Sequence, residues 1–188
     1  MPEQLTASPA QSPRADEPHR RGWSMLLPYV VQALVIVAVF AAAGALAGVI
    51  WEWLWTPPTG VAVHHHWIQD ESGLRANFSG TGTYVLVAVV AGMLVGAGVA
   101  FVLDRSELVT LVAVVGGSLL AGWVMYHVGT ALGPADPHPL AASSKDLTEL
   151  PGQLVVSGRS PMRAFPGGAL IGLTVVFLGL SRHRATRP

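Results

Sequence analysis

Three consecutive histidines, His64-His65-His66, form the densest group of metal-capable side chains in the chain. In an extended segment His64 and His66 share one face, with Cβ atoms about 7 Å apart, a separation that imidazoles can use for zinc or copper. A third ligand would have to come from His138, Asp70 or Glu71, and no recognised ligand spacing links these positions. A surface strand with three histidines needs no metal, so His64 and His66 rank as weak metal candidates, and no cofactor is expected. A second group consists of Glu52 and His127, ionisable residues inside long apolar runs near their ends. Glu52 continues the helical row Phe40, Gly44, Gly48, and His127 follows Gly116, Leu120 and Trp123. Ionisable groups inside apolar helices are functional candidates by default. At the depth of a membrane interface they also reach water easily, so Glu52 and His127 are read as an interfacial pair.

Other chemistry is missing from the sequence. There is no nucleophile-elbow serine, no phosphate loop, no His-Glu-x-x-His helix and no paired carboxylates within an apolar run. With no cysteine, disulfides, thiolate catalysis and Cys-based metal sites are all excluded. A net charge of zero gives no field to attract nucleic acid. No catalytic residue is assigned, and an enzyme is not expected.

The elements that must carry these residues are set by charge. Between Arg21 and Glu52 lie 30 residues without Lys, Arg, Asp or Glu; Arg75 to Asp104 and Glu107 to Asp136 enclose 28 each, and Ala164 to Ser181 adds 18. About 20 helical residues cross a hydrocarbon core of about 30 Å. Charged residues make up 12% of the chain and apolar residues 51%, against about 25% charged in soluble domains. The expected fold is therefore an all-α membrane protein with four transmembrane helices, at about 26–55, 83–103, 108–132 and 166–182. Residues 1–22, polar and proline-bearing with no apolar period, read as a disordered cytoplasmic tail. Residues 23–182 form the transmembrane domain with outer loops 56–82 and 133–165, and residues 183–188 form a basic cytoplasmic tail. Only Asp104 to Glu107 joins the second and third spans, which suggests a tight antiparallel hairpin.

The first outer loop offers Val61 to Gln69 and Leu74 to Phe78 around Asp70-Glu71-Ser72-Gly73, a pattern for a β-hairpin. The second offers one strand candidate, Gln153 to Ser157. A small extracytoplasmic sheet built from both loops would close strand edges that otherwise stay open. Lys and Arg number seven on the side of the termini and four on the side of the loops, which predicts both termini in the cytoplasm of a plasma-membrane protein. Trp51, Trp53 and Trp55, with Trp123 and Tyr126, read as an aromatic belt at the outer interface. Arg20-Arg21 before an apolar run imitates a signal peptide, but the run continues past the cleavage-like Ala45-Leu46-Ala47, so a retained span is expected.

Helices in lipid associate by close packing of small residues. Gly44 and Gly48 stand one turn apart on the first span, Gly92 and Gly96 on the second, and Gly168 and Gly172 on the fourth. Gly117 stands between Ala113 and Ala121 on the third. These seven glycines are the expected helix-packing residues. The first reading is that these ridges pack within one bundle; the alternative, since four helices do not obviously exhaust four ridges, is that one on the first or fourth span meets another membrane protein or a second copy.

Trp51-Glu52-Trp53-Leu54-Trp55-Thr56-Pro57-Pro58 closing the first span and Gly80-Thr81-Gly82-Thr83-Tyr84 entering the second combine with two further stretches. These are Gly116-Gly117 with Gly129, and Leu154-Val155-Val156-Ser157-Gly158-Arg159-Ser160-Pro161. Together they resemble a family of small actinobacterial membrane proteins known as a domain of unknown function, over roughly residues 25 to 180. The resemblance implies four spans and supplies no catalytic residue; the triple histidine and the proline-rich second loop depart from its pattern. The function expected is a non-enzymatic accessory or scaffold subunit, working through outer loops and glycine-rich helix faces. A small transporter or channel component is the alternative, with only Ser118, Thr110, Thr174 and glycine backbone to line a hydrated path, and a metal-binding membrane enzyme comes third.

Overall fold

A computed structural model of the chain describes residues 19–102, 107–158 and 160–185. The helix α1 runs His19–Leu54, and a two-stranded ribbon follows, β1 at Thr59–Val63 and β2 at His66–Ile68. Next come α2 at Glu71–Val102, α3 at Glu107–Leu132, a short α4 at Pro137–Ser143, the strand β3 at Glu149–Pro151 and a 3-10 turn at Ser160–Arg163. The last element, α5, runs Ala164–Ala185. Four of these helices, α1, α2, α3 and α5, are long and apolar enough to cross a membrane. Their outward surface is as apolar as their packed one: Leu46, Leu86, Leu94 and Val112 are each more than 60% exposed. Helices that are apolar all round belong in lipid or in a large core.

The order of packing differs from the order in sequence. Chiefly, α1 lies along α3 and α2 along α5, while α2 and α3 scarcely touch. The connection at 103–106 lies outside the described residues. The expected tight hairpin of the second and third spans is thus replaced by two pairs of helices that are distant in sequence. Within each pair the chains run the same way. Thr110 meets Gln32, Gly117 meets Phe40, and Gly129 lies under Trp51. Likewise Val89 meets Gly168 and Met93 meets Gly172. A short connection forces antiparallel order but does not force contact; the glycine faces decide contact.

Between the pairs, Ile36, Phe40, Val114, Met125 and Phe165 are fully buried. Phe40 and Phe165 meet edge to face with centroids 6.2 Å apart. Trp51 and Tyr84 do the same at 5.0 Å, and both are fully buried. Here the belt reading needs correction. Trp51 and Trp55 belong to the core, whereas Trp53, 80% exposed, and Trp123, 54% exposed, face outward. Helical spacing explains this, because Trp51 and Trp55 are four apart on the packed face and Trp53 lies on the opposite one.

The two loops fold together into one cap at a single end of the bundle. The sheet order is β2-β1-β3 and all pairing is antiparallel, with Val63 opposite His66 and Gly60 opposite Leu150. A sheet built from both loops is therefore present, but its strands are not the expected ones. The hairpin turns at His64-His65, and Leu74 to Phe78 is helical. Asp70 accepts a hydrogen bond from the Gly73 backbone N–H at 2.9 Å, and Glu71 opens the first turn of α2. Asp-Glu-Ser-Gly is thus a helix N-terminus, with a cap and an acidic first turn, rather than a hairpin turn.

The candidate Gln153 to Ser157 forms no strand either, because Glu149–Pro151 takes the open edge of β1. Its alternation still acts: Leu154 and Val156 are buried in the bundle's core and Val155 is exposed. Smaller corrections concern helix ends. Residues 19–22, read as tail, begin α1, and Pro28 lies inside that helix. The second span's helix starts at Glu71, not near 83, and α5 starts at Ala164, with Pro166 in its first turn. Residues 1–18 and 186–188, which hold the rest of both tails, lie outside the described residues.

Candidate functional site

Within the bundle, chemistry is turned toward neighbouring helices. All seven expected packing glycines are buried. A Cβ on Gly44 would meet the carbonyl of Ala121, and one on Gly48 would come 2.7 Å from the carbonyl of Met125. On the other pair, Gly92 and Gly96 face the backbones of Phe165 and Ala169, while Gly168 and Gly172 face those of Val89 and Met93. A Cβ on Gly117 would come 3.2 Å from Phe40 Cβ. Four ridges are consumed by two pairings, which removes the argument that one was left over for a partner. Gly98 and Gly116, by contrast, face open space.

The buried polar groups are likewise engaged. Gln32 Nε2 donates to Thr110 Oγ1 at 3.0 Å, a bond between α1 and α3 whose partners are both buried. Trp51 Nε1 donates to the Gly80 carbonyl and the Tyr84 hydroxyl to the Gly122 carbonyl, each at 2.9 Å. Ser118 and Thr174 donate to carbonyls of their own helices. Gln32 escaped a search for charged residues because an amide carries none; its place on the buried row with Ile36 and Phe40 is the signal that could have found it.

Toward the cap, Glu52 and His127 come to the same end of the α1–α3 pair, but no ion pair or hydrogen bond joins them. The His127 ring instead packs at a tilt against Trp123, with centroids 4.1 Å apart, and meets Tyr126 edge to face at 5.4 Å. The triple histidine is also placed differently from the extended arrangement. His64 and His65 are the two central residues of the β1–β2 turn, and His66 begins β2. Their φ angles of 49° and 63° have the signs of a type I′ turn, which favours Asn and Gly. His64 and His66 therefore do not alternate on one strand face. Among the described residues, no three His, Asp or Glu side chains gather to hold a metal ion.

The second loop holds this turn in place. Asp146 Oδ1 accepts from the His64 backbone N–H at 2.9 Å, and His65 Nδ1 lies 3.0 Å from the Ala142 carbonyl. Leu147 N–H donates to the Ala62 carbonyl at 2.8 Å, and Ala62 N–H to the Thr148 carbonyl at 2.9 Å. Leu147 has a φ of 68° and is 77% exposed. His64, His65 and Leu147 are the non-glycine residues with positive φ among the described residues, and all three lie in this tip. Such conformations cost about 1–3 kcal/mol each and collect at clamps and binding elements.

Below the tip, Trp67 lies across the sheet, with Gly60 and Gly152 providing room for its ring. Its edge meets His138 at a centroid distance of 5.4 Å. His138 follows Asp136, the N-cap of α4, with Pro137 at the first helical position. Asp-Pro at that spacing is a legible helix start, but the stretch reads as proline-rich loop when prolines alone are counted. Comparison of the chain with family models, curated proteins and solved structures gives no match, so the resemblance to the actinobacterial family stands on its short motifs alone.

Proposed function

We propose that this chain is a non-enzymatic, multi-pass protein of the plasma membrane whose bundle presents an extracytoplasmic cap to a partner membrane protein or a second copy. The carrying observation is the tip. His64, His65 and Leu147 combine backbone strain with exposure, and Leu147 adds an apolar side chain to exposed imidazoles. Strain of that kind persists where surrounding structure fixes it, here Asp146 and the backbone of β1. The Lys/Arg asymmetry of seven to four supports cytoplasmic termini and an outer cap. A role through glycine faces loses support, since those faces are covered within the chain. The channel reading loses support as well. Phe40, Phe165, Tyr84 and Trp51 fill the interior, and the hydroxyls proposed to line a path are bonded to their own helices or to Gln32.

A photo-crosslinking residue at Leu147 should give a discrete protein adduct in native membranes, whereas one at the outward-facing Leu94 should give lipid adducts. Protein adducts from position 94 with none from 147 would move the docking surface to the bundle and overturn the proposal.

A further inference from the structure

At the cap end of α3 a cavity of about 360 Å³ opens between the last turn of that helix and the Gln153 to Val155 segment. Its wall includes Tyr126, Thr130, Pro134, Asp136, Gln153 and Leu154. We infer that this cavity is a binding site for an organic ammonium group. This stands whether or not the tip engages a partner, because it uses different residues.

Charge is the first argument. Among the described residues, none lining the cavity is basic, and Asp136 contributes a carboxylate. Both described bonds of that carboxylate, from the His138 backbone N–H at 3.0 Å and the His138 ring at 2.8 Å, fall on Oδ1. Neither falls on Oδ2, and Asp136 lines the cavity wall. The C-terminal end of α3 adds carbonyls with negative partial charge, and Pro134 has no N–H with which to satisfy one. Size and lining supply the second argument. The volume far exceeds a bare ion, and Tyr126, Pro134 and Val155 offer aromatic and aliphatic surface to the carbons around a cationic nitrogen. A second cleft makes the contrast. It is about 200 Å³, lined by Thr110, Leu111, Leu173 and Phe177, and has no charged group, so it suits a hydrocarbon chain.

Ammonium groups reach this place either as free solutes or as lipid headgroups, and the test separates them. Full-length protein is placed in nanodiscs of phosphatidylglycerol and titrated with choline or with 3,3-dimethylbutanol, its uncharged carbon analogue. Choline should bind at least roughly tenfold more tightly than the analogue. In nanodiscs of phosphatidylethanolamine, retained choline binding points to a free solute, and its loss by competition points to the headgroup. Asp136→Asn is the decisive variant, because Asn caps a helix as well as Asp and so keeps α4 while removing the charge. It should weaken choline binding roughly tenfold with an unchanged thermal midpoint. Equal binding of choline and its analogue, or full choline binding by Asp136→Asn, would overturn the assignment.

Discussion

Gly96 in α2 and His65 in the β1–β2 turn stand at opposite ends of one design rule. At Gly96 the residue type fits the place: a side chain would strike the Ala169 backbone, and glycine has none. At His65 the type opposes the place, since a φ of 63° suits Asn or Gly and the position carries an exposed imidazole. The bundle repeats the first pattern at Gly44, Gly92, Gly168 and Gly172. The cap repeats the second at His64 and Leu147. Residues chosen against local preference point to a role beyond folding, and here they cluster at the tip.

The comparison breaks most sharply at the glycines. Gly44→Ile or Gly96→Ile should cost about 2–3 kcal/mol and lower the thermal midpoint in detergent by roughly 5 °C or more, whereas Gly98→Ile and Gly116→Ile should change it little. Equal losses at all four positions would mean that the pairing of α1 with α3 and α2 with α5 is wrong. A smaller effect is expected at the aromatic junction. Tyr84→Phe leaves the edge-to-face contact with Trp51 and removes the bond to the Gly122 carbonyl, for about 1 kcal/mol.

At the tip the sign should reverse. His64→Asn with His65→Gly supplies the preferred turn residues and should stabilise the cap by about 1 kcal/mol, measured as slower proteolysis of the 56–70 loop, while the Leu147 crosslink weakens. A stabilised turn with an unchanged crosslink would reduce the histidines to bystanders. The smallest effect belongs to Gln32. In a double-mutant cycle with Thr110→Val, Gln32→Leu should show a coupling of about 0.6 kcal/mol.

Much of this arrangement is legible in the sequence, and the failures have physical causes. Lack of charge over membrane-length runs marks the four long helices, and glycines spaced by four mark their contact faces. Which ridge meets which is not legible, because all four look alike and nothing local records the partner. The cap misleads for a different reason. Asp70 to Gly73 has the composition of a turn and also of a helix N-terminus, and only the apolar run from Phe78 onward could have favoured the helix. His64-His65 has no turn signature at all, since its left-handed backbone is imposed by Asp146 and Ala142, about 80 residues away. Asp136, Tyr126 and Gln153 went unnoticed as a group because tertiary folding alone brings them around one cavity.

Sidedness of the cap is the claim on which the functional account most depends. With no native cysteine, single cysteines can be introduced at Lys145 in the cap, at Leu147 in its tip and at Ser12 before the first helix. Each is then exposed to a membrane-impermeant maleimide in intact cells. The account predicts labelling at 145 and 147 and none at 12 until the membrane is opened. Labelling at 12 alone in intact cells would place the cap in the cytoplasm and contradict it.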